Sequence, residues 1–384
     1  MKKFSIALLT VASATLLFSC QSSEKKAQNL PEGIFPVESF TETLGGKDVS
    51  LYTLSAGDLT VQVTNLGGRV VSLWTPDKDG VFTDIVVGHD HLGGYISSPG
   101  ERFLGAAVGP VANRIGGAGF DLDGVHYDTT PNDNGVNTHH GGSLGIDKLI
   151  WDVVSACDTA LVLHLMHADG LDGFPGNLDI TMTYAVAEPD SFTVRYQATT
   201  DAPTPVNLTH HSSFCLRGEG NGSVEDYLME IHASEFLPID ALSIPTGEVR
   251  CVEGTPFDFR EPHLIGERIG EDDPQLRNGR GYDHNWCLDR SGEGVEFACR
   301  VSDPVSGRYV EMWTDQPGMQ FYSGNFFDGS ECGSNGNVLG FRSSLALEAQ
   351  QYPDAVNNPQ FPSIILRPGE IYSQTTTYRF GVEK

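Results

Sequence analysis

A carboxylate near the C-terminal end of the chain, Glu348, precedes a segment in which regular structure is interrupted. A short apolar run at residues 344–347 leads into it, and the next fifteen residues include three prolines and two asparagines. This composition predicts a fixed irregular loop after a buried strand that ends at Glu348. Such a loop would hold the carboxylate still as a general base, although a surface Glu before a long loop gives the same local pattern.

Histidines stand beside another polar residue in three irregular segments. An imidazole exchanges protons near neutral pH, so it suits a general acid, and it also binds divalent metals. Adjacent residues on a strand point to opposite faces, so each pair is expected to offer only one ligand, and we expect no metal. The three pairs are His139-His140, His210-His211 and Asp283-His284.

Three polar side chains in irregular segments suit the binding of hydroxyl groups. Arg114 donates a planar fork of hydrogen bonds, Asp283 accepts them, and Gln320 does both. Asn113 precedes Arg114 in a run rich in small residues. Taken singly, each has a structural explanation, because Arg114 could form an ordinary ion pair and Gln320 could lie in a solvated turn.

The charge of the chain restricts its partners. Its 384 residues contain 24 Lys and Arg against 51 Asp and Glu, a formal net charge of −27. Nucleic acids and anionic membrane surfaces would be repelled by this field, whereas a neutral small molecule would not. We therefore expect a neutral small-molecule partner and no nucleic acid.

The N-terminus has the pattern of a secretory signal. Two lysines precede an apolar run over residues 6–18, and Cys20 follows. The run is too short for a spanning helix. The end of the run resembles a bacterial lipobox, which implies cleavage before Cys20 and lipidation of its thiol. We expect a signal peptide over 1–19, a polar tether over 20–30 and a bacterial cell-envelope protein facing the periplasm or the surface; free secretion is the alternative.

Short β-type runs separated by turns extend from residue 38 to the C-terminus. Outside the signal peptide, no stretch of twelve residues shows the apolar stripe of a helix. Forty-four glycines and 21 prolines punctuate the runs, without a shift in composition that would divide the chain. We predict one all-β domain over 31–384, a large antiparallel β-sandwich with few or no helices. The clearest strands are residues 59–64, 69–74, 161–166, 178–184, 191–196, 227–231 and 372–380, with a hairpin over 295–314.

Seven segments, in order from about Asn65 to Phe380, together resemble the aldose 1-epimerase (galactose mutarotase) family. The resemblance implies the galactose mutarotase-like supersandwich with a sugar cleft on one face. The segments are Val108-Gly-Pro-Val-Ala-Asn-Arg-Ile115, His140-Gly-Gly142, Asn207-Leu-Thr-His-His-Ser212, Glu253-Gly-Thr-Pro-Phe-Asp-Phe-Arg260, Tyr282-Asp-His-Asn285, Pro317-Gly-Met-Gln-Phe-Tyr-Ser-Gly-Asn325 and the stretch around Glu348.

The resemblance also implies a reaction, the interconversion of the α and β anomers of a free neutral aldose such as galactose or glucose. By resemblance, Glu348 is the base that takes the C1 hydroxyl proton and His211 is the acid that protonates the ring oxygen. His140 assists at the ring oxygen or holds a hydroxyl. No cofactor is implied, and hydroxyl binding falls to Asn113, Arg114, Asp283 and Gln320.

Several positions depart from the family pattern, so the preferred sugar stays open. The acid–base pair is kept, and we expect only the lining near it to differ. A non-catalytic, carbohydrate-binding envelope lipoprotein with the same cleft is the alternative function. We expect a monomer that meets the membrane only through the lipid on Cys20. The departures are Pro110, His139, His210, Ser213 and Cys215.

Overall fold

The computed structural model describes residues 30–97, 100 and 102–383. The predicted signal peptide, Cys20 and nearly all of the predicted tether lie outside these residues. Within the described part of the chain, no helix is long and apolar enough to cross a membrane. The predicted division into signal, tether and one domain therefore stays a prediction.

The described residues form 29 strands, which span the chain from Glu42 to Val382. In chain order they are β1 (Glu42–Leu44), β2 (Lys47–Val49), β3 (Leu51–Ala56), β4 (Leu59–Thr64), β5 (Arg69–Pro76), β6 (Phe82–Asp84), β7 (Ala106–Val108), β8 (Arg114–Ile115), β9 (Gly119–Leu122), β10 (Val125–Asp128), β11 (Thr138–His139), β12 (Asp152–Cys157), β13 (Ala160–His167), β14 (Leu178–Ala187), β15 (Ser191–Thr200), β16 (Thr204–Pro205), β17 (Thr209–His211), β18 (Ser213–Phe214), β19 (Leu228–Ile231), β20 (Glu235–Leu237), β21 (Arg250–Cys251), β22 (His263–Leu264), β23 (Asp283–Cys287), β24 (Glu296–Ser302), β25 (Arg308–Thr314), β26 (Gly318–Tyr322), β27 (Leu345–Gln350), β28 (Ile365–Leu366) and β29 (Tyr372–Val382).

Helices are few and short in the described residues. The α-helices are α1 (Leu92–Ser97), α2 (Ile265–Arg268) and α3 (Pro274–Gly279). Single 3₁₀ turns occur at Val37–Phe40, Gly116–Ala118, Leu171–Gly173 and Val224–Asp226. The predicted all-β class is therefore confirmed.

Three antiparallel sheets carry most of the strands. A nine-stranded sheet has the order β12-β13-β14-β15-β29-β25-β24-β19-β22, a six-stranded sheet has the order β18-β27-β26-β23-β20-β21, and a four-stranded sheet runs β3 to β6. One cluster of buried apolar side chains joins all three, with Met182 from the nine-stranded sheet, Trp286 and Leu347 from the six-stranded sheet and Leu73 from the four-stranded sheet. The predicted β-sandwich is thus confirmed.

The predicted strands are present, and the one that carries Glu348 is longer than expected. It begins at Leu345 and ends at Gln350, so Glu348 lies within the strand and not at its end. The prediction placed the boundary too early because Ala349 and Gln350 looked like the start of the loop. Both are buried, and β27 pairs with β26 as far as Gln350.

Candidate active site

The six-stranded sheet places a row of polar side chains on one face. Gln320 on β26 lies opposite Glu348 on β27 and opposite Asn285 on β23. Directly paired residues of antiparallel strands share a face, and the next residue along each strand points the other way. Phe321 and Leu347 accordingly enter the core. The alternation therefore presents Gln320 and Glu348 together, away from the core.

Asp283 opens β23 and connects this row to Arg114. Its Oδ1 accepts a 2.8 Å hydrogen bond from the Gln320 amide, and its Oδ2 lies 3.7 Å from an Arg114 nitrogen. Arg114 also donates from Nε to Asp133 at 3.1 Å. The side-chain oxygen of Gln320 is buried and has no hydrogen-bond partner among the described residues, so it is an acceptor available to a ligand.

His211 reaches the site from a separate pair of strands, β17 and β7. Its partner across the pair is Ala106, and its carbonyl accepts from the Gly105 N–H at 2.9 Å. His210 points to the opposite side, where its ring packs against Tyr184 and Phe192. The predicted separation of the two adjacent rings is therefore confirmed, and His210 takes no part in lining the site.

His140 is held by a reciprocal contact with Asn113. The His140 N–H donates to the Asn113 carbonyl, and the Asn113 N–H donates to Nδ1 of His140, both at 3.1 Å. Because Nδ1 accepts, a neutral His140 carries its proton on Nε2. Both residues have positive φ, 59° at Asn113 and 51° at His140.

The rule that adjacent residues point apart fails for His139 and His140. Their ring centroids are 3.8 Å apart. The expectation assumed an extended strand, whereas β11 ends at His139 and His140 has left-handed backbone. Both rings therefore lie on the same side, beside Phe103.

Three side chains from different parts of the chain converge on one point. Nε2 of His211 lies 3.8 Å from Oε1 of Glu348, and His140, His211 and Glu348 each bring one nitrogen or oxygen atom within 4.8 Å of the others. The amide of Asn113 donates to Gln350 at 2.9 Å and to Oε2 of Glu348 at 3.4 Å. The predicted acid and base are thus neighbours in a buried site.

Burial sets the protonation of the site. Desolvation lowers the pKa of His211 to about 4, although Asp283 acts in the opposite direction. Desolvation also lowers the pKa of His140 well below its ordinary value, helped by the nearby His139. It raises the pKa of Asp283, which Arg114 partly offsets. Both rings are therefore neutral at pH 7 in the unliganded site.

The cluster of His140, His211 and Glu348 contains residue types that bind metals. The position of the proton on His140, however, does not suit metal binding. A histidine that binds a metal through one ring nitrogen usually donates an N–H from the other. In His140 the other nitrogen, Nδ1, accepts a hydrogen bond from Asn113, so Nε2 carries a proton and is a donor. Two of the three groups can offer a lone pair, which favours proton transfer over metal binding.

A cavity of about 620 Å³ adjoins these groups. Its lining includes Arg114, His139 and Phe103, together with Phe326 and Arg280. The volume lies within the range of roughly 300–1,000 Å³ found for small-molecule sites. Glu348 and His211 are not among its lining residues, but Phe103 lines it and contacts His211, and Arg114 lines it and lies beside Asp283.

The structure brings together all seven residues predicted for catalysis and hydroxyl binding: Asn113, Arg114, His140, His211, Asp283, Gln320 and Glu348. Their roles stay predictions.

Two neighbours of these residues were not predicted from the sequence. Gln350 shares the face of Glu348, two positions along β27, and a longer predicted strand would have identified it. Phe103, whose ring contacts those of His140 and His211, carries no local signal.

Comparison with known proteins supports the predicted resemblance to the aldose 1-epimerase family over most of the chain. The aldose 1-epimerase family model matches residues 50–379. Galactose mutarotase from Bos taurus is 40% identical over 339 residues, covering 88% of this chain and 96% of that protein. Aldose 1-epimerase from Escherichia coli (strain K12) is 36% identical over 342 residues, covering 88% and 97%.

Solved structures match a similar share of this chain. An aldose epimerase homologue from C. elegans superposes with a TM-score of 0.80 at 28% identity, covering 88% of this chain and all of that one. Galactose 1-epimerase from Lactobacillus acidophilus gives 0.77 at 27% identity, covering 90% and 98%. On the family match, the identity to these relatives and the shared fold, the chain belongs to the aldose 1-epimerase family.

Proposed function

We propose that this protein interconverts the α and β anomers of a free neutral aldose, such as galactose or glucose, by acid–base ring opening. The observation that carries the proposal is the buried pair of Glu348 and His211, 3.8 Å apart, beside groups that bind hydroxyls. Anomer exchange needs one base and one acid at C1 and the ring oxygen. It requires neither a metal nor an organic cofactor.

The reaction is a pair of coupled proton transfers. Glu348 removes the proton of the C1 hydroxyl while His211 protonates the ring oxygen, so the bond between C1 and the ring oxygen breaks and an aldehyde forms. The C1–C2 bond then rotates, and the reverse transfers close the ring on the other face. His211 is neutral before the sugar binds, so the ring must take up a proton before it can act as the acid. The Glu348 carboxylate, 3.8 Å away, favours that protonated ring.

The remaining groups orient the sugar. Nε2–H of His140 is directed as a donor by the contact of Nδ1 with Asn113, and it suits the ring oxygen or an adjacent hydroxyl. Asp283 and the free oxygen of Gln320 accept from hydroxyls, while Arg114 donates to them. Holding the substrate in one pose supplies much of the rate enhancement that such sites achieve.

The direct test is the rate of anomer equilibration of freshly dissolved α-D-galactose and α-D-glucose, followed by polarimetry or proton NMR. The proposal predicts equilibration well above the buffer rate, saturating with sugar concentration. Saturable binding by calorimetry without any acceleration would instead support the non-catalytic carbohydrate-binding alternative and refute the enzyme.

We also propose that the protein is a monomeric lipoprotein of a bacterial cell envelope, facing the periplasm or the surface and attached through Cys20. The sequence pattern around Cys20 supports the lipid anchor, and the monomeric state stays a prediction. In a bacterial host, the wild-type chain is expected in the membrane fraction with a lipid-modified N-terminal cysteine by mass spectrometry. Cys20→Ser is expected to abolish that modification; an unmodified wild-type N-terminus would refute the anchor.

A further inference from the structure

A second cavity, of about 330 Å³, is lined by four side chains of the types that bind transition metals: His89, His91, Glu331 and Cys332. None of them belongs to the acid–base group around Glu348. Glu331 also lines the larger cavity, so the two cavities adjoin at this residue. Imidazole nitrogen, carboxylate oxygen and thiolate sulfur are together typical zinc ligands.

Two of these ligands come from one short segment, His89-Asp90-His91, which bends at Asp90 and His91. This is a His-x-His spacing. Both imidazole rings line the cavity. The segment therefore presents two imidazoles to one space, unlike the adjacent pairs elsewhere in the chain.

His89 and Glu331 are already at a separation that an ion would bridge. Nε2 of His89 lies 3.7 Å from Oε2 of Glu331, and this nitrogen is buried without a hydrogen-bond partner among the described residues. The side chain of His89 is only 9% exposed. The distance is too long for a hydrogen bond, whereas two ligands about 2.1 Å from a tetrahedral ion lie roughly 3.4 Å apart.

His91 has its tautomer set for metal binding. Its Nδ1 lies 2.7 Å from Oδ1 of Asp90, so the ring donates from Nδ1 and keeps a lone pair on Nε2. A carboxylate on the far nitrogen is the common outer partner of a metal-bound histidine. His91 and Cys332 are exposed at the mouth of the cavity, where their side chains can rotate toward an ion.

We propose that His89, His91, Glu331 and Cys332 form a four-ligand zinc site. Two nitrogens, one oxygen and one sulfur fit the tetrahedral preference of Zn²⁺ and a structural role. Among the described residues no three of these ligand atoms lie within 4.8 Å of one another, so His91 and Cys332 would turn toward the pair of His89 and Glu331 as the ion binds. The ion would join the segment before α1 to the loop between β26 and β27. That loop also lines the mouth of the larger cavity, at Phe326 and Phe327.

The test is calorimetric titration of the purified, chelator-treated full-length chain with ZnCl₂ at pH 7.5. We expect one ion per chain with a dissociation constant of about 10⁻⁶ M or below. His89→Gln and Glu331→Gln are expected to weaken binding by about 30-fold or more. The matched control is His126→Gln, since His126 is an exposed histidine that also contacts carboxylates, and it should leave binding unchanged.

A second arm separates this site from the active-site cluster. Glu348→Gln should bind zinc as wild type does, because Glu348 is no part of the cavity. Absence of zinc binding, or binding that survives His89→Gln but disappears in Glu348→Gln, would overturn the proposal. Equal affinity in the wild type and both cavity variants would do so as well.

A third arm uses the exposed ligands, whose replacement should leave the fold intact. X-ray absorption at the zinc edge is expected to show a sulfur neighbour at about 2.3 Å that is lost in Cys332→Ser. His91→Gln and Cys332→Ser should each weaken zinc binding while the apo-protein melts at the wild-type temperature. A zinc spectrum without sulfur in the wild type would contradict the four-ligand site.

Discussion

Two rings that are adjacent in the chain, His210 and His211, occupy opposite environments. His210 packs among the aromatic side chains of the core, whereas His211 faces Glu348. The alternation of a strand predicts that separation from the sequence. It could not be predicted for His139 and His140, because only the folded loop gives His140 its positive φ and brings both rings to one side.

The unliganded protein is expected to hold His211 neutral at neutral pH. Burial lowers its pKa to about 4, so its imidazole signals should not titrate between pH 8 and pH 5.5. NMR of protein with ¹⁵N-labelled histidine measures this, and the spectrum of His211→Asn assigns the resonance. The exposed His126 is the internal control, since Asp121 raises its pKa. A titration of His211 centred between pH 6 and 7 would contradict the described environment.

At the scale of elements, paired strands and irregular loops contribute different parts of the site. Strands β23, β26 and β27 present Asp283, Gln320 and Glu348 on one face, because alternate residues of a strand share a face. This alternation can be predicted from the sequence. The loop carrying His140 depends on close backbone packing. A Cβ on Gly141 would lie 1.9 Å from the Gly109 carbonyl oxygen, and Gly141 has a φ of 83°. No local sequence pattern specifies which segment the loop meets.

Gly141→Ala is therefore expected to displace His140 while the sheets stay folded. We predict a fall in kcat/KM of about tenfold to a hundredfold, since small displacements of a positioning group cost about this much. Gly135→Ala is the matched control. Gly135 also has positive φ, 69°, but a Cβ there would meet nothing within 4 Å. If kcat/KM fell equally in the two variants, backbone strain at a positive-φ glycine would explain the loss, and displacement of the loop would not.

At the scale of the whole molecule, the chain buries several histidines in neutral form. Burial lowers the pKa of His167 and His211 to about 4 and of His210 and His284 to about 3. An unfolded histidine has a pKa of about 6.5, so below that pH the unfolded chain binds more protons. Stability is therefore lost as the pH falls, by about 2 kcal/mol for each such histidine at pH 5.

We predict a lower urea midpoint at pH 5 than at pH 7. Buried carboxyls oppose this, because burial raises the pKa of Asp84 to about 8 and also raises the pKa values of Asp190, Asp283 and Asp354. They are outnumbered by the seven histidines whose pKa burial lowers: His89, His139, His140, His167, His210, His211 and His284. His284→Gln should reduce the difference between the two pH values, whereas His126→Gln, at an exposed position, should not. An unchanged or higher midpoint at pH 5 would show that the histidines are not buried as neutral rings.

The all-β class and the order of the site segments could be predicted from the sequence, because strand periodicity and motif order are local. The cavity could not be predicted from the sequence. Its walls come from residues as distant in sequence as Arg114, Arg280 and Phe326, and only the packing of the sheets and loops brings them together. The same holds for the contact of Glu331 with His89.

The central claim is that Glu348 and His211 are the base and acid of anomer exchange. It is tested most directly by the α-to-β exchange rate of D-galactose, measured by proton NMR with wild type, Glu348→Gln and His211→Asn. Each variant is expected to lose about 10²- to 10⁴-fold in kcat, and the double variant to lose less than the product of the two. Glu253→Gln and His126→Asn, at exposed positions, serve as controls. Wild-type kcat in either site variant, with the fold intact, would contradict the account.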